Sequence, residues 1–208
     1  MPVDLQQLVD PAHTAVVTQE LQGGVVGRES ALPALADAAA GVLPSVHRLV
    51  VAARTSSVPV LHCVAERRED GRGSNHNARL FKGVLKSPVR LLPGTPAAEV
   101  VPEIGVEDTD LVLHRLHGLG PMAGTDLDPV LRNLGVTTIV GVGVSVNVGM
   151  TNFVMDAVNL GYHFVLPRDG VAGVPQDYAD AVIDNTLSLL ATITTVDAVT
   201  SCWLPEAR

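Results

Sequence analysis

Two hydrophobic periods alternate along this chain. Short apolar runs recur at residues 13–18, 58–64, 110–113, 137–142 and 162–166, the fourth of them β-branched and bounded by glycine. Runs of this kind suit strands buried on both faces of a parallel sheet. Between them the apolar spacing lengthens to the helical period. It predicts helices over about residues 31–55, 78–85, 126–133, 148–160 and 176–191, with a last strand over 195–200. Ser30 is placed to cap the first of these, Pro33 falls in its first turn where proline is tolerated, and Pro44 predicts a kink or break. In the helix from Val148, Phe153, Val154, Ala157 and Val158 share the side expected to face the sheet, and Gly161 stands where a left-handed residue ends a helix. Strand and helix in alternation predict one α/β domain over 1–208. Its expected form is three layers, α/β/α, with a parallel, Rossmann-like sheet of about six strands and right-handed crossovers.

Such a sheet has a chemically distinct edge. Open α/β sheets bind ligands at the carboxyl ends of their strands, where helix N-termini present unpaired N–H groups. Two segments reach that edge with suggestive residues: Glu20 directly follows the first strand, and the turn at residues 145–149 joins the strand over 137–142 to its helix. Composition narrows the rest. Hydrophobic residues make up 47% of the chain but aromatics only 3%, so the core is built from Val, Leu and Ala. A net charge of -8 gives no footprint for nucleic acid. The longest apolar stretch, around 136–148, is interrupted by glycine and polar residues before membrane-spanning length. The start MPVDLQQLVD lacks the basic and apolar regions of a secretory signal, so a cytoplasmic protein is expected. Of the two cysteines, Cys63 lies inside an apolar strand and is expected to be a buried, inert thiol.

The segment GVGVSVNVGMTNFVMDAVNLGYHFVLPRDGVAG resembles the signature of the isochorismatase-like superfamily of cysteine hydrolases. In that signature a Gly-Val pair leads into a nucleophile turn, then a helix ending in Asp-Ala, then Leu-Gly-Tyr and a strand ending in Asp. TAVVTQELQGGVVG is similar to the family's first strand and catalytic turn, and GTDLDPVLRNLG to the helix before the signature strand. The resemblance spans about residues 12–200. It implies that Gly149 stands where most members carry the nucleophilic cysteine, as glycine does in true isochorismatases. It also implies that Glu20 stands for the family's catalytic aspartate, Gln22 for a recurrent glutamine, and that a non-proline cis peptide joins Val144 and Ser145.

Three candidate catalytic positions follow: Glu20, Gly149, and Arg115, which falls nearest to the family's lysine. Arginine holds charge but does not shuttle protons, so His114 or His117 is the alternative for that role. Gln22, His114, His117, Val144, Ser145, Asn147 and Val148 are the candidate substrate contacts. Arg67, Arg68, Arg72, Asn75 and Asn77 are candidates for the pocket rim. His62 and His76 lack the Asp-x-His cluster of the metal-dependent relatives, so no metal or other cofactor is expected. The implied function is acid-assisted hydrolysis of a vinyl ether or related bond in a small molecule, with Glu20 as the acid. The alternative is a catalytically silent member that binds a small molecule or serves as an assembly subunit; a cysteine amidase using Cys63 is a third reading. The resemblance also implies a homodimer or homotetramer, and the lone Trp203 near the end predicts a partner surface or a groove on its own domain.

Overall fold

The computed structural model describes residues 4–204. Its centre is a sheet of seven strands, all paired in parallel: β1 Thr14–Gln19, β2 Val60–Ala65, β3 Leu111–Arg115, β4 Thr138–Val144, β5 His163–Pro167, β6 Val171–Ala172 and β7 Thr192–Thr194. The order is β3-β2-β1-β4-β5-β7, with β6 beside the end of β4. The chain first builds outward from β1 through β2 to β3, then crosses back to lay β4 against the other side of β1. The order therefore reverses between β1 and β4, the kind of crevice where open α/β sheets take their ligands.

Every residue of β1 and β4 is buried, which requires apolar cover on both faces. One face lies under α3 Pro33–Ala40, α4 Leu43–Thr55 and α9 Val196–Trp203, through Val16, Val140 and Val165. The opposite face lies under α6 Leu127–Asn133, α7 Thr151–Asn159 and α8 Gln176–Asn185, through Ala15, Val17 and Ile139. Phe153 and Phe164 meet edge to face there, with ring centroids 5.0 Å apart. Short helices α1 Leu5–Leu8, α2 Gly23–Val26 and α5 Arg79–Leu85 complete the set.

Three elements differ from the sequence expectation. The single helix over 31–55 is two, α3 and α4, bent by 60°. The break falls at Gly41 and Val42, and Pro44 sits in the first turn of α4, where its missing N–H costs nothing. The expected strand over 195–200 is α9; the strand lies just before it, at Thr192–Thr194. The Thr195 side chain accepts the Ala198 N–H as an N-cap, and Val196, Val199 and Trp203 then recur at helical spacing on the buried side. The β-branched content of this stretch suggested a strand, but the cap and the spacing prevail. Finally, α8 stops at Asn185, and a 3-10 turn, Leu187–Leu189, carries the chain on.

Trp203 fills a groove on its own fold. It is 8% exposed, joins the core beneath α4, and donates its indole N–H to the Val9 carbonyl at 2.6 Å. No single helix among the described residues is long and apolar enough to cross a membrane.

Candidate active site

Strands β1, β2, β3 and β4 end along one edge, and a pocket of about 170 Å³ opens there. Glu20, one residue past β1, adopts φ 54°. Strict alternation would turn its side chain to the face of Val16 and Thr18; a left-handed residue breaks that alternation. For a glutamate this conformation is unfavourable by about 1 kcal/mol or more, a cost that surrounding contacts must offset. One such contact is the Glu20 N–H to the Cys63 carbonyl at 2.9 Å. The other is an ion pair to Arg115, the last residue of β3.

Arg115 shares the sheet face of Leu113, and its side chain is only 4% exposed, against 23% for Glu20. One nitrogen, Nη2, holds Glu20, while Nε and Nη1 are buried and without a partner. A buried guanidinium with unused donors is costly and unusual in a finished structural pair.

The third wall is the turn after β4. Gly143 leaves the sheet at φ 122°, the Val144–Ser145 peptide is cis, and a π-helical turn, Val146–Met150, leads into α7. The Ser145 carbonyl accepts the N–H groups of Val148 and Met150. Gly149 lines the pocket, and a Cβ there would lie 2.2 Å from Nε2 of Gln19, so a side chain at 149 requires that amide to move. The Gln19 amide is fully buried, donates to the Leu119 carbonyl at 3.3 Å, and leaves Oε1 unpartnered.

Of the residues singled out from the sequence, Glu20, Arg115, Gly149, Ser145, Val148 and His117 come together in the lining. Others are placed elsewhere. Gln22 is buried away from the cavity and clamps two segments: its amide donates to the carbonyls of Ala65 and Ala98 and accepts the Ala65 N–H. His114 points to the opposite side of β3 from Arg115, as strand alternation demands, and binds Glu66 at 2.8 Å. Val144 is packed in the core, and Asn147 donates to the Val174 carbonyl at 3.2 Å beneath the turn. Of the expected rim residues, Arg67 and Asn75 line the cavity, whereas Arg68, Arg72 and Asn77 do not.

Burial pushes the Cys63 thiol up to about 12, with Glu20 adding to the rise and Arg115 opposing it. It lies in the sheet, outside the lining, and is protonated at neutral pH. His62 is also internal: its Nδ1 is hydrogen-bonded to Thr18 Oγ1 at 2.9 Å, and its Nε2 faces Asp110 at 3.3 Å. Among the described residues no three His, Cys, Asp or Glu side chains converge as metal ligands would.

The polar stretch around residues 65–87, with its short helix, is expected from sequence to cross the mouth of the site, but the apolar residues of that helix are not singled out. Leu80, Phe81, Val84 and Leu85 of α5 form an apolar face over the cavity, although no residue of that helix is buried in the core. Their spacing of one, four and five positions was the available signal, obscured by the polar segment around it.

A family model of the isochorismatase domain matches residues 14–198 of the chain. The chain belongs to the isochorismatase family. Among curated relatives, the uncharacterized isochorismatase family protein YwoC of Bacillus subtilis is 36% identical over 86 residues, which cover 41% of this chain and 45% of YwoC. The chain thus matches about half the length of that relative. The ureidoacrylate amidohydrolase RutB of Agrobacterium fabrum is 25% identical over 203 residues, covering 90% of this chain and 88% of RutB. In fold, the chain is similar to the crystal structure of a cysteine hydrolase from Pseudomonas syringae pv. phaseolicola, with a TM-score of 0.84, 23% identity and 94% of each chain covered.

Proposed function

We propose that this protein is a small-molecule hydrolase that works without a covalent cysteine intermediate, with Glu20 as its proton-handling group. The observation that carries the reading is the Glu20–Arg115 pair at the strand ends, lining a cavity beside the bare turn at Gly149. Gly149 stands in this reading where cysteine-dependent relatives hold their nucleophile and offers no attacking atom. The Cys63 thiol, protonated and outside the lining, is no substitute. Water is then the nucleophile.

Arg115 determines which proton step Glu20 performs. Arg115 pairs with Glu20 as a carboxylate, and a carboxylate accepts a proton from water instead of giving one to a vinyl carbon. The acid role expected from sequence suits a vinyl ether and requires a carboxylic acid at Glu20, whereas the ion pair uses a carboxylate. General-base hydrolysis of a carbonyl or related bond fits the pair better. The ureidoacrylate activity named for RutB is consistent with that bond class.

A second reading has its own support. A carboxylate already neutralised by a buried arginine also describes a catalytically silent binding protein. The deciding experiment is product analysis by NMR for wild type and Glu20→Gln on isochorismate, simple enol ethers, and a panel of amides and esters. Turnover lost in the variant, with a wild-type rate that rises with pH, supports the base. A rate falling over the same pH range supports the acid, and ligand binding without turnover in either protein supports the silent member.

A further inference from the structure

The rim of this pocket carries a charge that the Glu20–Arg115 pair does not use. Four charged side chains line the cavity: Glu20, Glu66, Arg67 and Arg115. Glu20 and Arg115 hold each other, and Glu66 Oε1 accepts from His114 Nδ1 at 2.8 Å. Arg67, half-buried where the chain leaves β2, has no carboxylate partner among the described residues; only its backbone is fixed, by the N–H to the Leu91 carbonyl at 2.8 Å. Its neighbour Arg90 supplies a second positive charge and is itself bonded through Nη2 to a backbone carbonyl, that of Glu69, at 2.7 Å. Burial and the charge of Arg90 both push Arg67 below the ordinary guanidinium range, as expected of a cation held without a counter-ion.

The same cavity is lined by the apolar face of α5, with Phe81, Val84 and Leu85, and by Leu116 and Leu119. Leu80, Leu85, Leu116 and Leu119 are each more than a third exposed although they surround a cavity. Apolar surface gathered at one mouth marks a place meant to be covered. A polar, fully hydrated substrate gains nothing from such a wall.

We propose that the pocket selects an amphipathic carboxylate: a small molecule whose apolar body lies against α5 and whose carboxylate is held by Arg67. The inference rests on the reading of this cavity as a small-molecule site and adds the ligand class. Arg67 anchors one end, the α5 face desolvates the middle, and the reacting bond is brought toward Glu20 and Gly149. A guanidinium suits this task because its planar fork pairs two nitrogens with two carboxylate oxygens.

The test is isothermal titration of the full chain with linear carboxylates from butanoate to decanoate, with 1-octanol and octylammonium as probes of matched apolar body. Affinity is expected to rise with chain length and then level off. Octanoate should exceed octanol by on the order of tenfold at low salt, and octylammonium should bind weakest. Arg67→Gln should erase the preference for octanoate while leaving octanol binding in place, Arg67→Lys should retain part of it, and Phe81→Ala should weaken all three probes together. Binding of octanol or octylammonium as tight as that of octanoate, or a preference that survives Arg67→Gln, overturns the proposal. The hydrolase reading fails separately. A carboxylate preference with no turnover on the NMR panel leaves the ligand class standing, whereas turnover of uncharged substrates without the preference removes the ligand class alone.

Discussion

Two ionic clusters bridge the same three strands, and they are finished to different degrees. Toward the middle of β1 and β2, Thr18, His62, Asp110 and Arg54 form a chain in which every polar atom is used. Arg54 donates to Asp110 through Nε and Nη2, to Glu107 through Nη1, and to the Gly105 carbonyl. Asp110 also accepts the Glu107 N–H at 2.8 Å. At the carboxyl ends of these strands, Glu20 and Arg115 make one pair, with two guanidinium nitrogens left over and a glutamate in a left-handed conformation. Burial is comparable for the arginines, 11% exposed for Arg54 and 4% for Arg115. Burial of charge alone therefore does not separate scaffold from site. Completeness does: the satisfied cluster holds β3 to β2 and α4, and the unsatisfied one waits at the mouth of a cavity.

The largest effect should come from breaking the complete cluster. Asp110→Ala leaves Arg54 and His62 without their acceptor and should cost about 3–5 kcal/mol in chemical denaturation; a loss below about 1 kcal/mol would erase the distinction between the clusters. At the incomplete cluster the order of effects should reverse. Glu20→Gln is expected to cut turnover by on the order of a hundredfold or more on whichever substrate the NMR panel identifies, while the unfolding midpoint barely moves. Equal damage to stability and activity would make Glu20 a structural residue.

Gly149→Ala tests the turn. Its Cβ would fall 2.2 Å from the Gln19 amide, so a loss of about 1–3 kcal/mol is expected, largely recovered in the double variant with Gln19→Ala. Additive losses would show that the two positions do not compete for space. The smallest effect is a slope with pH. Burial, the largest influence, lowers His62 below 6.5, against the pull of Asp110. The unfolded chain therefore takes up a proton that the fold refuses. The contribution of His62 is complete above pH 6.5 and declines below it, by at most about 1.4 kcal/mol per pH unit. Asp110 extends the decline to lower pH. Burial alone would raise its carboxyl, but Arg54 and the Glu107 N–H outweigh burial and hold it below 3.8, so its contribution is lost as pH falls through that lowered value. Unfolding monitored from pH 7 to 4 should lose this slope in His62→Gln.

The central strands were legible because burial on both faces forces continuous apolar runs, as in β1, β2 and β4, and β3 and β5 stood out as shorter apolar runs between helical stretches. The others are two and three residues long, too short to show a period. Glu20, Arg115 and Gly149 were legible from the resemblance of their motifs. The orientation of His114 was available from the alternation of β3 once Arg115 was placed inward. The role of Gln22 was not, because a buried amide joining two carbonyls leaves no spacing in sequence. Nor was Gln19, whose importance lies in a contact with a residue 130 positions along the chain.

That contact makes positions 19 and 149 an epistatic pair: a side chain at 149 and the Gln19 amide claim the same space, so the effect of any substitution at 149 depends on which residue stands at 19 and on whether its amide swings aside.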